Sequence, residues 1–349
     1  MKPACAQVNP MVVLLLPLVA AILLCNLFYP IRQPWQKTAP NAMQTELYKR
    51  LSDSGLSGDE LATVGALTLG YKEEMPPELQ THFRASGAAH VLAVSGLHTG
   101  ILYGLVVWLL TLGGRLRPMH DNRFGRCALG TVIIGVMWAY AWLTGMTPSV
   151  VRAILMVTIF EVGRMVYRQS FSLNTIAAAA VLILLVRPSD LWSVSFQLSF
   201  AATAAIVLVA RECELRLHRK EWLGTWTGRA LSWILGTVII SIAAQLGTLA
   251  ISMYYFHQIS TYFLIANLLV LPLATLLVPC GLLSLALGGS MAGVWVSKVT
   301  GALAWAMNHS VAWIESLPGS TVYVTIGGGM VAIYYGILLV FCYFFTKST

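Results

Sequence analysis

The feature that most constrains this chain is an apolar run of roughly 20 residues, repeated many times, each long enough to carry an α-helix across a hydrocarbon core. Such runs stand at 11–29, 88–112, 127–146, 148–166, 172–187, 191–210, 230–252, 260–288 and 322–345. In lipid every backbone polar group has to be satisfied internally, which leaves helices as the natural element for runs of this length. We therefore expect an all-α, polytopic integral membrane protein with about nine transmembrane helices. Composition agrees: 57% of residues are hydrophobic and 10% are charged, where soluble domains carry about 25% charged residues. A further segment, 291–316, holds Trp295, Trp305 and Trp313 together with Lys298, Asn308, His309 and Glu315. It reads as an amphipathic interfacial helix near the C-terminal end.

These runs divide the chain into an N-terminal transmembrane helix (1–29), a short external helical segment (30–87) and a polytopic domain (88–349). The run after Lys2 has no small-x-small cleavage site behind it and reads as a retained span, not a signal peptide. Within 30–87, Ser57-Gly58-Asp59-Glu60 has the form of a capping box opening a helix at Leu61. Pro76-Pro77-Glu78 predicts a second helix start, and Gly87 its end.

The formal charge of +8 finds its first explanation in topology, because cytoplasmic connections collect Lys and Arg. Arg115, Arg117, Arg123 and Arg126 share one connection, Arg164 and Arg168 another, and Arg211, Arg216, Arg219, Lys220 and Arg229 a third. With nine alternating spans all three fall on the side of Lys2, while the short connections opposite hold only Arg187. This pattern predicts a cytoplasmic N-terminus, an external 30–87 segment and an external C-terminus. Should 291–316 also cross, the C-terminus moves to the cytoplasm. Cys5, Cys25, Cys127, Cys213, Cys280 and Cys342 lie far apart without CxxC or Cys/His spacing, so no metal site, cofactor or disulfide framework is expected. There is no GxxxxGK[ST] nucleotide motif.

Polar groups inside spans are costly and so mark candidate sites. The second span carries His90, Ser95 and His98, with Gly96, Gly100 and Gly104 four residues apart on one face, a seam suited to close helix packing. Ser95 and His98 raise the thought of an intramembrane hydrolase, but nothing in the sequence orients the imidazole or supplies an oxyanion hole, and no catalytic residue is assigned. Thr147 before Pro148 is a strong helix start and puts Arg152 in the second turn, either snorkelling to the interface or facing an aqueous cavity. Glu161, Arg164 and Arg168 at the other end of that helix form a candidate ion-pair cluster. Thr237, Ser241, Gln245, Thr248 and Ser252 fall on one helical face, Ser193 and Gln197 on another. Asn267 precedes Pro272 and Pro279, so its helix is expected to be kinked or broken.

In their order, several stretches resemble the membrane domain of the ComEC competence proteins. They are His90-Val91-Leu92-Ala93-Val94-Ser95-Gly96-Leu97-His98, Pro148-Ser149-Val150-Val151-Arg152-Ala153, Gln197-Leu198-Ser199-Phe200, Gln245-Leu246, and Phe256-His257-Gln258-Ile259-Ser260 leading into Asn267-Leu268. The resemblance implies a channel in a bacterial cytoplasmic membrane that passes single-stranded DNA during natural transformation. It implies further partners besides the lipid bilayer: separate DNA-receptor, nuclease and ATPase proteins, and a homo-oligomeric assembly. The family's usual oligonucleotide-binding-like and metallo-β-lactamase-like domains have no counterpart in the residues given, so no nuclease activity is carried over; a minimal member, a split protein and a fragment all remain open. The candidate path residues are His90, Ser95, His98, Arg152, Gln197, Ser241, Gln245, Thr248 and Asn267, with His90, Arg152 and Arg187 expected at an electropositive external mouth and His98 at a constriction. The competing class is a transporter of a small or lipid-linked solute with a polar midplane site.

Overall fold

The computed structural model describes residues 41–92, 96–111, 122–166, 173–217 and 226–347. The expected first span, 11–29, and Ser95 lie outside them.

The chain opens with helix α1 (Ala42–Asp53), whose capping box is complete: Asn41 Oδ1 accepts from the Gln44 amide at 2.7 Å, and Gln44 Oε1 accepts from the Asn41 amide at 3.0 Å. Helix α2 (Gly58–Leu69) starts where Ser57 predicts, but the Ser57 side chain makes no capping bond. Every residue of α2 from Leu61 to Leu69 is buried, which the uncharged sequence Leu-Ala-Thr-Val-Gly-Ala-Leu-Thr-Leu permits. Gly70, at φ +70°, ends it. Helix α3 (Pro77–Ala85) has Pro77 at its first position, and Gly87, at φ +88°, closes the turn behind it. A four-residue α4 (Ala89–Leu92) follows.

The apolar runs become α5 (Gly96–Leu110), α6 (Arg123–Leu143), α7 (Pro148–Met165), α8 (Leu173–Val186), α9 (Val194–Leu217), α10 (Trp226–Phe256), α11 (Phe263–Leu287) and α13 (Gly328–Lys347), with α12 (Met291–Glu315) between the last two. A short 3-10 turn, Pro188–Trp192, joins α8 to α9. Strands β1 (Gln258–Ser260) and β2 (Thr321–Tyr323) pair antiparallel, so the fold is not helix alone. Among the described residues, three stretches are long and apolar enough to cross a membrane: Phe124–Leu143, Thr227–Phe256 and Phe263–Leu287. Gly96–Leu110, Leu173–Val186, Val194–Val209 and Gly328–Leu338 are apolar but shorter. The expected break in α11 does not occur; Pro272 and Pro279 sit inside one continuous helix.

Segment 41–92 is not a separate layer. Its Leu51, Val64, Leu67 and Phe83 share one core with Val270, Ala274 and Leu277 of α11 and Ala304, Met307 and Val311 of α12. Gly281 lets α2 lie directly on α11, since an added Cβ would stand 2.5 Å from Thr68 Cγ2. Gly65 similarly receives the ring of Tyr48. Helix α12 lies along α11, turning Ser297, Thr300 and Asn308 inward and Trp295, Trp305 and Trp313 outward. Its polar groups therefore face protein: Thr63 Oγ1 donates to Asn308 Oδ1 at 2.8 Å, and Ser284 Oγ lies 3.2 Å from Thr300 Oγ1.

One end of the helix layer gathers most of the irregular structure. Asn41 Nδ2 donates to the Trp142 carbonyl, Gly87 abuts Ser260 and Phe263, His82 Nδ1 pairs with Glu315 Oε2, and Thr261 donates to the Ser320 carbonyl. We call this the ribbon end. Helix α13 starts there, with Gly328 beside Tyr254, and runs back along α10 to where Tyr334 and Tyr335 donate to the carbonyls of Leu246 and Gly247.

Candidate functional site

Polar chemistry collects in two settings, the junctions between helices and a cleft at the ribbon end. Thr147 and Pro148 start α7 as the sequence predicts and carry Arg152 to the level of the first turn of α9. Arg152 is 3% exposed, and its Nη2 donates to the Ser195 carbonyl oxygen at 2.9 Å and to Ser195 Oγ at 2.7 Å. Asp190, buried in the 3-10 turn, shares its electrostatic field with Arg152 and Arg187. Burial raises the Asp190 carboxyl pKa, and the two arginines oppose that rise. Of the three residues expected at a mouth, Arg152 is therefore interior, whereas Arg187 and His90 are exposed, with His90 Nδ1 3.2 Å from the Gly87 carbonyl. Neither of the two earlier readings of Arg152, snorkelling or facing an open cavity, describes a guanidinium that is buried and bonded to α9.

Gln197, one turn along α9, spends its amide on the Leu191 carbonyl at 3.1 Å. On α10, Ser241 is buried and Gln245 and Thr248 are half-buried, with Thr248 Oγ1 donating to the Ala244 carbonyl at 2.9 Å. Helices α9 and α10 close up at Gly247, where an added Cβ would stand 2.7 Å from both the Ala201 carbonyl oxygen and Ala205 Cβ. Asn267 in α11 is 8% exposed, and its Oδ1 has no partner among the described residues. His98 is fully buried in α5, which packs on α11. The structure thus joins Arg152 and Gln197 at one junction of α7, the 3-10 turn and α9. His98 and Asn267 belong to a second helix pair.

The expected glycine seam of α5 has no packing partner among the described residues. No described residue outside the helix backbone lies within 4 Å of a Cβ added at Gly96, Gly100 or Gly104. Glycines that do make close helix contacts include Gly247 and Gly281, and also Gly130 of α6, where an added Cβ would stand 2.4 Å from Met165 Cε of α7. Spacing alone could not separate the two cases, because a repeat of small residues shows where a helix could be approached and not whether anything approaches.

Sequence reasoning also missed Tyr103 of α5. Its hydroxyl donates to Glu161 Oε1 at 2.6 Å, while Arg164 donates to Glu161 Oε2 from Nε at 3.0 Å and from Nη2 at 2.6 Å. The expected Glu161–Arg164 pair is present; Arg168 lies outside the described residues. Ser195 had a signal, its place two residues before Gln197, but nothing in the sequence pairs it with Arg152.

At the ribbon end, a cleft of about 410 Å³ lies between α3, the loop after α12 and the ribbon. Thr81, Arg84, Gln258, Glu315, Thr321 and Tyr323 contribute to its lining.

Comparison with known proteins gives these features a setting. The Competence protein family model matches residues 67–348. ComE operon protein 3 of Bacillus subtilis is 31% identical over 259 residues, which cover 73% of this chain and 30% of that protein. Competence protein ComA of Neisseria gonorrhoeae is 29% identical over 188 residues, 53% of this chain and 26% of that protein. Recombination protein 2 of Haemophilus influenzae is 24% identical over 230 residues, 65% of this chain and 28% of that protein. The chain thus spans less than a third of the length of these curated relatives. No solved structure matches. The family match begins inside α2 and runs through every longer helix that follows, including the junctions of Arg152, Gln197, His98 and Asn267, and on that extent the chain belongs to the Competence protein family, of the ComEC type.

Proposed function

We propose that this chain is the membrane-embedded conduit for single-stranded DNA in natural transformation, seated in a bacterial cytoplasmic membrane and non-enzymatic in itself. The observation that carries the proposal is the family match over 67–348, which takes in every described helix from α3 onward. The names of the Bacillus and Neisseria relatives point the same way. A strand carries one negative charge per nucleotide, so a conduit has to keep phosphates hydrated or meet them with polar groups. Helices α9, α10 and α11 supply uncharged candidates in Gln197, Ser241, Gln245, Thr248 and Asn267. Driving force, strand separation and capture then fall to separate ATPase, nuclease and receptor proteins.

The arrangement also supports an orientation. Arg164 ends α7 away from the ribbon end, and Arg126 and Arg229 stand in the first turns of α6 and α10 on the same side. The bias of basic residues supports a cytoplasmic location for that side and an external ribbon end. Helix α12 has 25 residues, about 37 Å of rise, and returns the chain from the far end of α11 to the ribbon end. We read it as a crossing helix, which puts the end of α13 in the cytoplasm. A C-terminal reporter fusion tests this: cytoplasmic green fluorescence is expected, and periplasmic phosphatase activity would overturn it.

Uptake of labelled DNA and transformation frequency in a strain deleted for this chain test the function. Loss of both, restored by the intact gene, is expected. Normal uptake in the deleted strain would refute the proposal.

A further inference from the structure

We propose that the cleft at the ribbon end seats one nucleotide of an incoming single strand, with Arg84 meeting its phosphate and Tyr323 stacking on its base. The inference rests on the conduit reading above and names where the strand is first held.

Three observations carry it. The first is construction. In the ribbon Gln258 stands directly opposite Tyr323, and Ser260 opposite Thr321. Opposed residues share a face, and so do residues two apart along a strand. Gln258, Thr321 and Tyr323 therefore face the same way, and all three line the cleft. The ribbon is held in place by Thr261 donating to the Ser320 and Gly319 carbonyls at 3.0 and 2.7 Å, Tyr262 Oη donating to the Pro318 carbonyl at 3.0 Å, and Val324 donating to the His257 carbonyl at 3.0 Å. Gly87, in its left-handed turn, leaves room for Ser260 where a Cβ would stand 2.8 Å from the hydroxyl. The wall opposite is α3, whose last carbonyls already accept from Ser86 and Gly87. The cleft is thus formed before any ligand arrives, which lowers the ordering cost of binding.

The second observation is charge. The cleft's carboxylate, Glu315, is engaged by His82 from the same helix that carries Arg84. Arg84 itself is exposed and makes no ion pair with any described residue. A guanidinium without a partner, in a cleft whose acid is already occupied, suits an anionic group such as phosphate.

The third is Tyr323, 79% exposed in a ribbon that is otherwise tied down. An aromatic ring held open on a rigid strand is a platform for a base, and the Gln258 amide beside it can meet a base edge. A volume of about 410 Å³ lies in the range of small-ligand sites and suits a single nucleotide. A duplex keeps its base faces stacked internally and cannot use Tyr323, so the ligand is single-stranded.

The test uses the full chain in lipid nanodiscs with a fluorescein-labelled thymidine 20-mer, binding being followed by anisotropy across a salt series. Arg84→Ala is expected to reduce the slope of log affinity against log salt by about 0.7, the value for one phosphate contact on a single strand. Arg84→Lys retains the slope. Tyr323→Ala is expected to weaken binding about fivefold or more with the slope unchanged, and Tyr323→Phe to restore it. Both side chains are exposed, so the substitutions leave the fold intact. Wild-type binding by both alanine variants would overturn the inference, as would equal weakening of a polyglutamate peptide or of duplex DNA. If deletion of the chain abolishes uptake while these variants bind normally, the conduit reading stands and this site falls. If the deleted strain takes up DNA normally, the conduit reading falls first.

Discussion

Glu161 offers the sharpest test of how the helix layer is held together. It is 0% exposed and accepts three charge-assisted hydrogen bonds, one from Tyr103 and two from Arg164, linking α5 to α7. Glu161→Ala leaves the Arg164 guanidinium buried without its carboxylate and the Tyr103 hydroxyl without an acceptor. Breaking a buried pair from one side costs about 3–5 kcal/mol. Tyr103→Phe removes a single bond to a charged group, about 1.5–3 kcal/mol. Replacing both partners with apolar residues, Glu161→Leu with Arg164→Met, removes the charge problem and should recover most of the loss. The assay is a double-mutant cycle on detergent-solubilised protein, with thermal midpoints and SDS-titration free energies as readouts. A coupling of at least about 1.5 kcal/mol is expected between residues in one buried network. Additivity within about 0.5 kcal/mol would show that the pair is solvated, and would refute the reasoning from burial.

Thr63→Val should cost about 1–3 kcal/mol, because the Asn308 amide then loses its only described acceptor-side bond in a buried site; Thr63→Ser should not. Gly247→Ala should force α9 and α10 apart, lowering both the thermal midpoint and DNA uptake. Gly236→Ala, where an added Cβ meets nothing within 4 Å, should leave both unchanged. Arg152→Cys should resist an aqueous thiol reagent that labels Arg84→Cys within minutes; equal labelling would contradict the burial of Arg152. Burial raises the Asp190 pKa above its unfolded value, so the folded state holds this proton more tightly. Its contribution to stability is therefore greatest below about pH 4 and is lost as pH rises through the folded value. Asp190→Asn should flatten that dependence in pH-dependent melts.

Much of the helix layer was legible in the sequence. Apolar runs, the Thr147–Pro148 start and the glycine after α3 place helix ends to within a few residues, since these signals act through the local backbone. The Glu161–Arg164 pair was legible for the same reason, its members being three apart on one helix. The fate of α11 was not: two prolines remove two amide donors, yet the helix continues because packing against α2 and α12 supports it on both sides. Helix α12 was only half legible. Its tryptophans and polar residues mark two faces, but periodicity cannot say which face meets protein, and Asn308 turns inward to reach Thr63, 245 residues away in the chain.

The sequence by itself determined the element type and pointed to lipid as its solvent, because repeated runs of about 20 mostly apolar residues favour helices of bilayer length. It also determined the family, through stretches whose order carries more information than their chemistry. Only the tertiary structure decided the partners. Arg152 meets Ser195 and Tyr103 meets Glu161, and the small segment before α5 is built into the core. The cleft exists because α3, the loop after α12 and a ribbon drawn from two distant connections meet at one end. Such contacts join residues far apart in the chain, and no local period or propensity records them.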